Sequence, residues 1–300
     1  MKTTDVRRKP SKYRNLDAAG CIRRFQRVRF LLTGIAVALI ILTAAVFITH
    51  TEELSLGLYF IVILLILLVF FAALTLHVAG IYQILYTDCD PVKFLEVLGR
   101  QSRKLKRPSQ KSSHHLLCAA ALSYLEDWDA VYRELVQFQA PAVRNRSLLY
   151  SHLNLLGDYC LVKDQKDDFE ACRQQLLALE QQGKPREKKL ADQLLLVWDR
   201  RIACVTQDRK REREILNQLL LGQKRYLSQE VAWTFRLAQL DLLDGNVEQA
   251  GQRLRFVMEY GNTMAARTWA EELWNRQDWS LEQKNNQEET GEKENGNDTE

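Results

Sequence analysis

The chain has 300 residues, of which 46% are hydrophobic and 27% charged, and its formal net charge is +4 at neutral pH. Six cysteines (Cys21, Cys89, Cys118, Cys160, Cys172, Cys204) stand singly with no C-x-x-C pair, which argues against a disulfide or metal framework and for small buried side chains. The modest net charge hides three unlike regions: a basic N-terminus, a mixed middle and an acidic end.

Residues 1–29 form a basic arm with ten cations (Lys2, Arg7, Arg8, Lys9, Lys12, Arg14, Arg23, Arg24, Arg27, Arg29) against Asp5 and Asp17. Two apolar runs follow, 30–49 and 56–79, within a hairpin segment 30–80, and neither contains Asp, Glu, Lys or Arg. Each has the ~20 residues a helix needs to cross a ~30 Å hydrocarbon core. Only residues 50–55 separate them, so they form a tight transmembrane hairpin. A secretory signal would show one shorter run and a cleavage site, with no second span. The connecting loop has no Lys or Arg, whereas Lys93, Arg100, Arg103, Lys104, Lys106 and Arg107 follow the second run. Positive residues stay on the cytoplasmic face, so both termini are expected there, in a two-span protein of the cell membrane. Tyr59, Tyr82 and Tyr86 suit the interfaces. The arm is expected to attract the anionic leaflet, at ~1 kcal/mol per cation near the surface. It lacks the aromatic interleaving of a nucleic-acid binder. With His77 only at an end, the spans mark no ion path. Gly34, Ala38, Ala44 and Ala45 offer small-residue faces for the other span or for a homo-oligomer.

Residues 86–277 are expected to fold as one elongated, wholly helical cytoplasmic domain. Apolar residues recur at helical spacing and strand-like alternation is missing. The predicted helices are 91–105, 113–125, 128–139, 145–163, 167–182, 187–206, 209–222, 228–243, 246–259 and 263–276, with Pro91, Pro108, Pro141 and Pro185 at starts or breaks. An internal figure recurs within them. Trp128 is followed at steps of 3, 7 and 10 by Val131, Leu135 and Phe138, Phe169 by Cys172, Leu176 and Leu179, and Val247 by Ala250, Leu254 and Val257. Nine residues before each anchor stands a small residue: Ala119, Cys160 or Ala238. These steps lie on one helix face. The anchors leave room for one further unit near Asp208 to Leu221. It fits badly: with Arg209 as anchor only Leu216 and Leu219 match. Helix pairs at periods of 20–50 residues indicate an α-solenoid.

The last unit, with Leu237-Ala238-x-Leu240, then Gly245-Asn246-Val247 and Ala250, resembles a tetratricopeptide repeat (TPR). It has the family's Leu-Ala pair on the first helix, Gly at the turn and Ala on the second helix. Earlier units depart from the pattern, with Glu126 and Asp167 at the turn and a period nearer 40 than the family's 34. The resemblance covers Ser112 to Arg276 and implies an all-α, TPR-like solenoid that binds a protein or peptide. The packing residues it singles out are Ala119, Trp128, Val131, Cys160, Phe169, Cys172, Leu237, Ala238, Gly245, Val247 and Ala250. Two spans followed by such a domain resemble, in layout, bacterial membrane-anchored repeat proteins.

No phosphate loop, dinucleotide fingerprint, H-E-x-x-H or G-x-S-x-G occurs. His114 and Cys118 lie one turn apart, without further ligands at metal-site spacing. The chain is therefore expected to catalyse nothing and to need no cofactor or metal. Lys184, Arg186, Lys188 and Lys189 form one basic stretch. Arg200, Arg201, Arg209, Lys210, Arg211 and Arg213 form another, interrupted by acids. Each suits either a solvated face or an acidic partner. Residues 278–300 are expected to be an acidic disordered tail. The sequence thus predicts a membrane-anchored scaffold or adaptor, with Asn154, Arg236 and Gln239 as groove candidates. The alternative is an accessory subunit of a membrane transport, secretion or envelope-synthesis complex.

Overall fold

The structure, a computed structural model, describes residues 10–49, 56–102, 105–138, 146–222 and 226–277. Residues 1–9, the loop 50–55 with His50, Arg103, Lys104, Pro141 and the tail 278–300 lie outside the described residues. The described chain forms twelve α-helices and no strand. It divides into two compact units between Lys106 and Arg107.

The first unit contains α1 (Ala18–Thr49), α2 (Leu56–Tyr86) and α3 (Pro91–Ser102). Both α1 and α2 are long and apolar enough to cross a membrane. Each outruns its apolar stretch because nothing at the polar end breaks it. Between Ala18 and Phe30 there is no Pro, so α1 begins about 18 Å before the uncharged apolar run, at ~1.5 Å per residue. Large apolar side chains face outward along both helices: Phe30 is 76% exposed and Leu76 75%. Against water that arrangement would be costly, at ~25 cal/mol per Å².

The arm, expected to be a separate segment through residue 29, is instead folded from residue 10. Tyr13 is wholly buried, the Ser11 N–H donates to Asp88 Oδ1 at 2.8 Å, and the Ser11 hydroxyl donates to Asp88 Oδ2. Lys93 Nζ donates to the Arg14 carbonyl at 2.9 Å. Phe25 stacks on His77, ring centres 4.5 Å apart, and His77 Nε2–H donates to the Phe25 carbonyl at 3.0 Å. A buried aromatic and two buried acids, Asp88 and Asp90, thus hold the segment down. For the same reason α3, expected in the helical domain that begins at 86, packs against α1 and α2.

The second unit contains α4 (Pro108–Ser123), α5 (Trp128–Val136), α6 (Arg146–Val162), α7 (Lys166–Gln182), α8 (Pro185–Val205), α9 (Arg209–Leu221), α10 (Leu227–Leu243), α11 (Val247–Tyr260) and α12 (Ala265–Arg276). Pro108 and Pro185 open their helices, where the missing N–H costs nothing, so α4 starts earlier than predicted. The helices pack as successive pairs: α4/α5, α6/α7, α8/α9 and α10/α11, with α12 against the last.

Each pair turns the same way. A residue with positive φ ends the first helix: Glu126 (57°), Asp164 (53°), Gln207 (58°) and Gly245 (77°). The next N–H then bonds back across five residues: Asp127 to Leu122, Gln165 to Cys160, Asp208 to Ala203 and Asn246 to Asp241. This is the six-to-one bond of a Schellman turn, closed by a left-handed residue. In the first and third pairs the residue donating it also caps the next helix with its side chain. Asp127 accepts the Ala130 N–H and Asp208 the Arg211 N–H, each at 3.0 Å.

These turns give the pairs a common register, and it corrects one assignment. In the second pair the turn residue is Asp164, not Asp167, so the position equivalent to Ala119 is Gly157 and that equivalent to Val131 is Phe169. Three residues separate this register from the one the apolar spacing suggested. The Trp198 indole of α8 lies against Gly157, so close that a Cβ there would sit 2.5 Å from Cζ2.

The row of pairs is not simply extended, as the sequence predicted. The Tyr124 carbonyl, at the end of α4, accepts the Ala265 N–H at 3.0 Å, and the Ser228 hydroxyl bonds the Tyr124 hydroxyl at 3.1 Å. The first pair therefore touches the starts of α10 and α12. One apolar core, around Tyr150, Leu176 and Trp198, runs from α4 to α8, and a second, smaller one joins Leu216 to Leu237 and Leu240.

Candidate interaction surface

Most of the packing residues named from the sequence lie inside the second unit. Ala119, Trp128, Val131, Cys160, Phe169, Cys172, Leu237, Ala238 and Ala250 are buried, Val247 is half-buried and Gly245 is an exposed turn residue. Cys160 and Cys172 meet each other across α6 and α7, thiol to thiol.

The third pair, which fits the apolar figure worst, packs in the same register with different chemistry. Its equivalents of Ala119 and Val131 are Arg200 and Glu212. Both are buried, at 9% and 1% exposure. Arg200 Nη1 lies 3.8 Å from Glu212 Oε1. Glu212 is also gripped from α10 by Arg236, Nε to Oε1 at 2.8 Å and Nη2 to Oε2 at 2.9 Å. Burial pushes the Arg200 guanidinium down to about 10, with neighbouring Arg201 acting in the same direction and Asp158 and Glu212 opposing it.

Further ion pairs extend this cluster. Arg201 Nε donates to the buried Asp158 of α6 at 3.0 Å, and its guanidinium lies 5.1 Å from the Trp128 ring centre. The Trp128 indole N–H donates to Glu126 at 2.5 Å. In the fourth pair Asp241, fully buried, takes Arg213 Nη1 at 2.5 Å and also pairs with Arg253. Arg213 Nη2 reaches Asp244 at 2.6 Å. Half of the basic stretch from Arg200 to Arg213, namely Arg200, Arg201 and Arg213, is thus spent on buried acids of the domain. Arg209 and Arg211 also face acids, Asp244 and Glu214.

The groove candidates fall along this polar seam. Arg236 Nη1 donates to Gln239 Oε1 at 3.0 Å while the same guanidinium holds Glu212. Asn154 gives its backbone carbonyl to the Trp198 indole N–H at 3.4 Å, and its side-chain oxygen is buried with no protein donor among the described residues. The seam was missed in the sequence because a charge at an apolar position read as a mismatch. The signal was present: Arg200 and Glu212 stand nine before and three after Arg209, as Ala119 and Val131 do around Trp128.

Reactive groups are subdued. Burial pushes the thiols of Cys118 and Cys172 up to about 12 and raises those of Cys160 and Cys204, so none is a thiolate at neutral pH. Cys118 Sγ lies 3.6 Å from His114 Nε2, whose proton affinity burial lowers. Among the described residues no three His, Cys, Asp or Glu side chains gather to hold a metal ion. In the first unit an apolar cavity of about 260 Å³ opens between Leu42, Val46 and Phe47 of α1 and Leu58, Tyr59 and Val62 of α2.

Compared with protein-family models, with curated proteins and with solved structures, the chain matches none.

Proposed function

We propose that this protein is a membrane-anchored interaction scaffold. In this role α1 and α2 cross the cell membrane with both termini in the cytoplasm, and α4–α12 form a TPR-like solenoid that holds a protein or peptide partner without catalysing a reaction. The observation that carries the proposal is the fourfold recurrence of one left-handed turn and its six-to-one bond. Stacked helix pairs of this kind build extended recognition surfaces. The half-exposed edge of the polar seam, at Asn154 of α6 and Arg236 and Gln239 of α10, is the face we assign to the partner. The protonated thiols supply no nucleophile that would favour an enzyme.

The test is affinity capture of the full chain from native membranes, followed by the same capture with the first unit, residues 1–106, deleted. A scaffold retains its partner after the deletion and loses it on Gln239→Ala or Asn154→Ala, with the melting temperature of the variant unchanged. A partner held by the spans alone, for which the cavity between α1 and α2 offers a surface, would mark an accessory subunit and refute the scaffold role. Orientation is checked separately, with single cysteines at Thr51 and Thr290 in a cysteine-free chain and an impermeant thiol reagent on intact cells. Labelling at Thr290 but not Thr51 overturns the cytoplasmic placement.

A further inference from the structure

We infer that the polar start of α1 carries a binding site for the phosphate of an anionic lipid headgroup, built by Arg23, Arg24 and Arg27. The inference rests on α1 and α2 spanning the membrane as proposed above.

The site follows from the unbroken helix. Because α1 starts at Ala18, these three arginines stand on the same rigid element that enters the bilayer at Phe30. At ~100° per residue, Arg27 projects between Arg23 and Arg24, and all three share an arc of about 100°. Arg29 falls outside that arc, and Phe25, which stacks on His77 of α2, lies about 100° beyond Arg24. The cradle therefore faces away from α2.

Depth fits as well. At ~1.5 Å rise per residue, Arg27 lies about 4.5 Å, Arg24 about 9 Å and Arg23 about 10.5 Å before Phe30. The headgroup layer of one leaflet is about 5–8 Å thick. Arg27 thus stands within the layer, and the long side chains of the other two reach up to it.

All three arginines are exposed and none forms an ion pair with an acid among the described residues. In the second unit, by contrast, Arg200, Arg201, Arg209, Arg211 and Arg213 each face a carboxylate. Arg24 is held in place, its Nη1 donating to the Lys12 carbonyl at 3.1 Å. The nearest acid along this face, Asp17, is occupied with the Gly20 N–H at 2.8 Å. Guanidinium is suited to this ligand because its planar fork grips phosphate through two parallel hydrogen bonds, which an ammonium cannot reproduce. Three forks in one arc favour a headgroup with two phosphates over one with a single phosphate.

The experiment uses the full chain in detergent and counts bound lipid by native mass spectrometry. The probes are cardiolipin, phosphatidylglycerol at equal phosphate, phosphatidylcholine, and inorganic phosphate as competitor. We expect cardiolipin to bind most tightly, the R23K/R24K/R27K variant to bind it at least ~10-fold more weakly, and R29K to match the parent. Retained binding in the triple lysine variant overturns the site, since net charge alone would then suffice. Competition by inorganic phosphate would reassign it to a soluble ligand. Alkaline extraction of native membranes separates the two levels. Release of the protein would refute the anchor, whereas a retained protein without lipid preference would refute only the site.

Discussion

The third helix pair of the second unit and the three around it solve one packing problem in two ways. In α4/α5, α6/α7 and α10/α11 the equivalent positions hold Ala119 and Val131, Gly157 and Phe169, or Ala238 and Ala250, with Gly157 lying against Trp198 of the next pair. In α8/α9 they hold Arg200 and Glu212, with Arg236 closing from α10. The turn that joins the helices is the same in all four. The backbone therefore sets which positions face each other, and the side chains decide only what fills the gap. Small apolar residues do so by close approach, favouring whatever fits. A charged pair does so by complementarity, which tolerates one register and penalises others. Fixing register is one attested use of buried polar groups, though such pairs add little net stability.

The largest expected effect tests that contrast directly. Glu212→Ala should leave the buried Arg200 without its ion-pair partner and cost about 3–5 kcal/mol. Replacing the whole cluster, Arg200→Ala with Glu212→Val and Arg236→Met, which imposes the apolar solution of the first pair, should be nearly neutral or even stabilising by ~1–4 kcal/mol. Both are read from urea unfolding of the full chain in detergent, followed by far-ultraviolet circular dichroism. A loss below ~1 kcal/mol for the single change would mean that Arg200 simply turns to water, and the supposed contrast would vanish.

A smaller effect probes the apolar pairs. Ala250→Leu should cost ~1–3 kcal/mol, because α10 and α11 have no space to yield. Gly157→Ala should fall in the same range, ~1–3 kcal/mol, since its Cβ would meet the Trp198 ring rather than a flexible chain end. If Ala250→Leu melts like the parent, close approach within a pair is not what holds it, and if Gly157→Ala does, the approach of α8 to α6 is not.

Helical periodicity made the helices legible, and it located most of them to within a few residues. It did less well wherever a tertiary contact outweighed a local signal. The register of the second pair slipped by three residues because Phe169 imitates the aromatic anchor Trp128, and because its turn residue, Asp164, lacks the glycine that marks Gly245. Counting from the left-handed turn removes the ambiguity, but φ is not written in an Asp or a Gln. The arm from Pro10 to Arg29 read as a charged segment, since nothing local reveals that Tyr13 is buried or that Ser11 binds Asp88, 77 positions away. Arg200 and Glu212 were visible as residues and hidden as a pair, because each alone breaks the apolar pattern that the two together satisfy.

The smallest effect expected is a pH response confined to one side of the same contrast. The first two pairs hold half-buried histidines: His114 in α4, and His152 in α6 stacked on Phe138 with ring centres 4.4 Å apart. Burial lowers the proton affinity of both. In His114 the neighbouring His115 adds to the effect and Glu134 opposes it, and in His152 a hydrogen bond to the Leu135 backbone opposes it. A folded-state pKa below the ordinary ~6.5 means that the unfolded chain binds more protons as the pH falls through that value. Stability is therefore full above ~6.5, declines below it, and levels off beneath the folded-state values. The arginine–carboxylate seam of the third and fourth pairs does not use a histidine. Lowering the pH from about 7.5 to about 5 should therefore weaken amide protection in α4 and α6, after correction for intrinsic exchange, before it does so in α9 and α10. His152→Phe, which keeps the stack and removes the titrating group, should reduce the loss in α6. Equal loss across all four pairs, or an unchanged response in that variant, would place the acid sensitivity in the carboxylates and set the contrast aside.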